Sequence, residues 1–197
     1  MKIIKEKILY HGSGQVVETP DLNHSREDID FGAGFYLTED KYIAKKWACT
    51  KRNSYVSEYK LDLSGLKVYQ FKLDKEWLKY VVDNRLFNLN KDYDKYDVLI
   101  GPTADNKLYD TLQDYLDGYI NEKQAIKYLN IVGYSNQIVL KSDDAIKQIE
   151  FIIASKIHNL EKEQLRNLVK NERKQIITKL SNERKNDINN NDIVNTI

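Results

Sequence analysis

One cysteine, one methionine, two prolines and three histidines are all that this 197-residue chain has of those residue types. With Cys49 alone there is no disulfide framework and no thiolate metal cluster. His11, His24 and His158 form no pair at metal-ligand spacing, so no metal is expected. A dominant charge is missing too: 31 basic and 30 acidic residues give a net charge of +1, so no global field draws the chain to nucleic acid or an anionic membrane. No apolar run reaches membrane-spanning length, and Met1–Lys7 lacks the apolar centre of a signal peptide. The expectation is a cytoplasmic protein with no membrane partner. A Walker-type loop, a dinucleotide fingerprint and a His-Glu-x-x-His motif are all absent.

What is present suits a globular domain with an appendage: 41% of residues are hydrophobic and 31% charged. Strands are expected over Lys7–Tyr10, broken by Gly12-Ser13-Gly14, and over Phe35–Leu37, Ser54–Leu61, Leu66–Phe71, Tyr96–Ile100 and Ser135–Leu140. Helices are expected from a Thr38-Glu39-Asp40 start to Lys51, over Lys75–Leu86, Leu108–Asp117 and Glu122–Leu129, and from a Ser142 cap to Ile157. Strands interrupted by helices without regular alternation indicate an α+β fold. Residues 1–157 read as that domain. Residues 158–197 read as a charged helical tail with a thin apolar stripe, ending in an Asn-rich segment from Asp187 that is expected to be disordered. So thin a stripe predicts packing on a partner or a second copy.

Two stretches carry the chemistry. In Asp30-Phe31-Gly32-Ala33-Gly34-Phe35-Tyr36-Leu37-Thr38, glycines allow close backbone approach and Tyr36 stands beside bare backbone. Alone, that reads as an ordinary glycine turn entering a core strand. The other stretch is Leu9-Tyr10-His11-Gly12-Ser13, a strand ending in His-Gly-Ser. Neutral imidazole donates one hydrogen bond and accepts another, which suits a ribose hydroxyl.

Together these stretches resemble the NAD-binding core of the ADP-ribosyltransferase superfamily, and most closely the bacterial DUF3990 proteins, from Tyr10 to about Leu140. The resemblance implies split mixed and antiparallel β-sheets with flanking helices, NAD as substrate, and transfer of ADP-ribose to a protein or nucleic-acid acceptor. It also implies a toxin or defence effector neutralised by an antitoxin partner. His11 would grip the adenosine ribose, the Gly12 backbone would pair with the nicotinamide carboxamide, and Ser13 would assist. Gly34 and Tyr36 would form the nicotinamide wall. A second stacking aromatic eleven positions after Tyr36 is matched by Trp47, which reads equally as a core residue of an amphipathic helix.

The superfamily's catalytic Glu falls on Gln137, giving a His-Tyr-Gln set. An amide keeps the hydrogen bond and lacks the charge that stabilises an oxocarbenium-like transition state. Asp105, in the loop after Gly101-Pro102, is a candidate replacement carboxylate, and the role of Asp30 is open. Arg26 offers a guanidinium fork for the pyrophosphate, or is a solvated loop charge. Asp97, in an apolar strand, needs a partner, with Arg85 or Arg26 available for a structural salt bridge. NAD hydrolysis and non-catalytic NAD or nucleotide binding are the alternatives within this reading.

Overall fold

The structure, a computed structural model, describes residues 6–25, 27–87, 91–104, 109–131 and 135–194. The described residues form a mixed α+β fold with two sheets. The first sheet has the order β1 (Glu6–Ser13), β3 (Tyr55–Asp62), β7 (Ile149–Lys156), all antiparallel. In the second, β2 (Phe35–Leu37), β6 (Asn136–Leu140) and β5 (Val98–Pro102) run antiparallel, and β4 (Val68–Gln70) closes the edge parallel to β5.

Alternation decides where the core lies. Directly opposed residues of an antiparallel pair share a face. Phe35, Leu37, Val98, Ile138 and Leu140 therefore point one way and pack on Leu9, Tyr59 and Leu61 of the first sheet. Tyr36, Val139 and Gln137 point to the other side of the second sheet, with Leu99 and Gly101. Buried there as well are Phe31, Phe71, Trp77 and Tyr80, the last two from α2 (Lys75–Val82). Trp77 Nε1 donates to the Pro102 carbonyl at 2.9 Å.

Several local expectations are corrected. β1 does not break at Gly12: it continues through Ser13, with His11 opposite Ser57. The partner strand supplies backbone pairing that overrides the two small residues. α1 (Lys41–Ala48) is capped by Asp40, which accepts from the Tyr42 N–H, and not by Thr38. Thr38 is buried and exchanges backbone hydrogen bonds with Tyr10. α2 passes into a π-helical turn, Asp83–Phe87, before the α-helix expected to Leu86 is complete. The helix expected over Ser142–Ile157 is only α5 (Asp143–Lys147), properly capped by Ser142; the Ile- and Phe-rich run after it is β7.

Contacts divide the chain into two compact units: 1–104 with 134–166, and 105–133 with 167–197. In the first, the opening turns of α6 (Asn159–Val194) bind the end of α1, with Lys162 Nζ donating to the Arg52 carbonyl and Arg166 Nε to the Cys49 carbonyl. In the second, later turns of α6 meet α3 (Tyr109–Leu116) and α4 (Glu122–Leu129). There Arg184 pairs with Asp114, and Lys127 pairs with Glu183 and Asp187. The helix runs through Val194, past Asp187, where disorder is expected from the sequence to begin. The described residues contain no helix long and apolar enough to cross a membrane.

Candidate functional site

The loop between Asp30 and Gly34 is held at each carbonyl by a side chain. Asn84 Nδ2 donates to Asp30 O at 3.3 Å. Lys141 Nζ donates to Phe31 O at 2.6 Å and also to Ala33 O. The Tyr36 hydroxyl donates to Gly32 O at 2.7 Å and accepts from Phe31 N–H at 3.0 Å. Gly32 has φ +66°, so it needs the freedom of glycine. Gly34 answers a different demand: a Cβ there would come within 2.8 Å of Leu140 O and 2.5 Å of a Val139 methyl. It is a packing glycine against β6.

Beneath this loop lies a buried polar unit. Asp30 is 3% exposed. Its Oδ1 accepts from Arg85 Nε at 2.5 Å, and its Oδ2 accepts from Ala104 N–H at 2.7 Å and Gln137 Nε2 at 2.9 Å. Arg85 also donates to Ala104 O, and Gln137 Nε2 to Pro102 O at 3.3 Å. Burial pushes the Asp30 carboxyl up, opposed by Arg85, Gln137 and Ala104. These surroundings offer the two oxygens only donors, so the group they suit is the carboxylate. The π turn after α2 supplies both Asn84 and Arg85 to it, and such turns recur at functional sites.

His11 stands on the other side of β2. Its Nδ1 lies 2.8 Å from Tyr36 O, and its ring packs on Phe35 with centroids 4.6 Å apart. A carbonyl only accepts, so Nδ1 carries the proton and Nε2 is the bare acceptor. Burial lowers the His11 pKa, and the Tyr36 carbonyl partly offsets this, so the ring is neutral at physiological pH. Gly12 follows. Because Tyr10 bonds Thr38, the alternation of β1 turns the Gly12 N–H and C=O towards the β2 side as well. Among the described backbone bonds none meets them there. On its side-chain face Gly12 touches α1: a Cβ would lie 1.8 Å from Ala44 O.

The structure thus joins His11 to Tyr36 through a backbone carbonyl, and places Gln137 with Asp30 and Arg85. It does not bring Trp47 to Tyr36 among the described ring contacts; Trp47 is half-buried on α1. The Ser13 hydroxyl donates to Gln15 O at 2.5 Å. Arg26 and Asp105 lie outside the described residues. Asp97 is corrected: it accepts from Lys67 N–H and the Ser142 hydroxyl, which hold its pKa down, while Arg85 goes to Asp30. Sequence reasoning left Asp30 open and did not pair it with Arg85. The available signal was an acid beside the buried Phe31 in a glycine loop, which requires a cation.

Residues 7–151 match the model of a family described as a protein of unknown function, DUF3990. The chain belongs to the DUF3990 family. No curated protein and no solved structure matches it. Within this DUF3990 chain the matched segment holds His11, the glycine loop, Arg85 and Gln137, and ends in β7.

Beside the loop opens a cleft of about 390 Å³, lined by Glu27, Gly32, Ala33, Asn84, Asp94 and Lys141 among others. Burial pushes the Lys141 ammonium down to about 8, with Asp94 opposing. The folded value lies below the ordinary 10.5, so the unfolded chain holds the proton more tightly. Below pH 8 the cost of the buried charge is fully present; between about 8 and 10.5 the folded protein sheds the proton first, and stability rises. Urea unfolding between pH 7 and 10.5 should show this rise in the wild type and a flatter profile in Lys141→Met.

Proposed function

We propose that this DUF3990 protein binds NAD beside His11 and Gly12 and acts as an ADP-ribosyltransferase-like protein with a His-Tyr-Gln core. The observation that supports the reading is the neutral His11 ring, held by the Tyr36 carbonyl with Nε2 as the unprotonated acceptor, next to a Gly12 N–H and C=O that no described backbone bond meets on the β2 side. That pair offers an acceptor to a ribose hydroxyl, and one donor with one acceptor to a carboxamide. In the reaction the bond between ribose C1′ and the nicotinamide nitrogen breaks, its electron pair leaving with nicotinamide. The acceptor nucleophile then bonds C1′ and gives up a proton. Gln137 holds a ribose hydroxyl in this scheme and adds no charge. The acceptor is a macromolecule, and a toxin or defence role with a neutralising partner accompanies the reading.

A second reading is NAD binding without turnover. It is favoured by Gln137, a neutral amide whose neighbouring carboxylate is already paired with Arg85. Calorimetry separates binding from its absence. His11→Ala removes a hydrogen bond in a partly desolvated site, so NAD affinity should fall by about 1–3 kcal/mol, a factor of roughly 5 to 150. Nicotinamide release with label appearing in lysate macromolecules indicates transfer. Release without label indicates hydrolysis, and saturable binding with neither indicates a binding module. Absence of saturable NAD binding by the wild type overturns the NAD reading altogether.

A further inference from the structure

We propose that Asp30 is the positioning residue that makes position 137 a glutamine: it anchors the amide by its nitrogen and turns Oε1 away as the acceptor. The ligand side of this statement rests on the NAD reading; the anchoring does not. Gln137 is 3% exposed, and both neighbours of its Nε2, Asp30 Oδ2 at 2.9 Å and Pro102 O at 3.3 Å, are acceptors. The flipped amide would set oxygen against oxygen at both contacts, so only one orientation is allowed.

Charge explains why the residue is an amide. The buried unit contains one carboxylate and one guanidinium, with side chains 5% and 7% exposed, and is neutral as a whole. A Glu at 137 would place a second carboxylate against the first with a single cation to share. Two carboxylates in such a site do not both stay ionised. An acid at 137 therefore cannot act as an anion while Asp30 remains one. Gln is the residue that gives Asp30 a donor and keeps the unit neutral.

The test compares the wild type with Asp30→Asn, Gln137→Glu and the exchange variant Asp30→Asn/Gln137→Glu. Thermal unfolding is followed from pH 5 to 8. At pH 8 Gln137→Glu should melt lower than the wild type by roughly 5 °C or more. It should recover relative to the wild type on acidification to pH 5, as the shared proton is taken up. The exchange variant restores one acid and one amide and should regain most of the loss, with a wild-type pH profile. A lost contact alone would not produce that recovery with acid or that rescue by exchange. Gln137→Glu melting like the wild type across the pH range overturns the proposal. So does an exchange variant no better than Gln137→Glu at pH 8.

Asp30→Asn removes the charged and shorter of the two anchors and leaves only the Pro102 carbonyl at 3.3 Å to orient the Gln137 amide, so NAD binding should weaken about fivefold if Oε1 is the ligand-side acceptor, and unchanged NAD affinity in folded Asp30→Asn overturns that part. If Asp30→Asn does not fold, the exchange variant against Gln137→Glu still decides. A wild type that does not bind NAD refutes the proposed function, and the melting comparison then judges the Asp30 assignment by itself.

Discussion

Arg85→Met should lower the stability of this protein by about 3–5 kcal/mol at neutral pH, because it leaves the Asp30 carboxylate buried without its cation. That is a large part of the roughly 5–15 kcal/mol available to a folded domain. The pH dependence identifies the cause. The Asp30 pKa already lies above the ordinary 3.8 through burial, with Arg85 the chief opposing influence. Removing Arg85 raises it further. A carboxyl with a raised folded pKa favours folding most when protonated, so stability falls as pH rises from 3.8 through the folded value. Denaturant unfolding should therefore show Arg85→Met recovering towards the wild type at pH 5. The double variant Asp30→Asn/Arg85→Met should recover at neutral pH, since removing both members of a buried pair is far cheaper than removing one. A single variant equally unstable at both pH values would place the damage in packing around the π turn.

Gly12→Ala should be nearly as damaging, and for a steric reason. The added methyl would sit 1.8 Å from Ala44 O and 2.7 Å from Ala44 C. These are backbone atoms of α1, so no side chain can rotate aside; the helix itself must lift off β1. Overpacking in a filled core costs typically 1–3 kcal/mol, and a rigid backbone neighbour puts this site at the top of that range, about 3 kcal/mol. The expected result is a fall in melting temperature of roughly 6–12 °C, with near-ultraviolet circular dichroism reporting disturbed tertiary packing. A Gly14→Ala control meets its nearest neighbour, the Lys51 Cβ, at an ordinary 3.5 Å and should melt close to the wild type. Equal melting of the two variants would mean that α1 has more room above β1 than its position implies.

These effects mark the boundary of what the sequence discloses. Alternation over Tyr55–Leu61 and Gln137–Leu140 is a local property, so both strands are legible. The Ser142 cap is legible as well, because a hydroxyl accepting from an N–H three residues on is local. β7 is not. Ile149–Ile153 is a short apolar run, and helix and strand periods cannot be separated over so few residues. Pairing with β3 makes it a strand. Capping by Thr38 fails similarly: the backbone of Tyr10, 28 positions earlier, holds Thr38 in a bridge and leaves the cap to Asp40. At the candidate site, the stretches around His11 and Tyr36 stand out because chemistry and position coincide within a few residues, and the structure sets His11 Nδ1 against the Tyr36 carbonyl. The pairing of Asp30 with Arg85 spans 55 positions and that of Asp30 with Gln137 spans 107, distances at which composition and spacing carry no information.

The loop from Asp30 to Gly34 has a kinetic consequence. With its carbonyls already engaged by Asn84, Lys141 and Tyr36, it has no ordering step to complete when a molecule docks on it. A ligand docking there would meet no gate, and the observed rate of complex formation should rise in proportion to its concentration without levelling off. Differences in affinity among any ligands of such a surface would accordingly reside in how fast they leave, not in how fast they arrive.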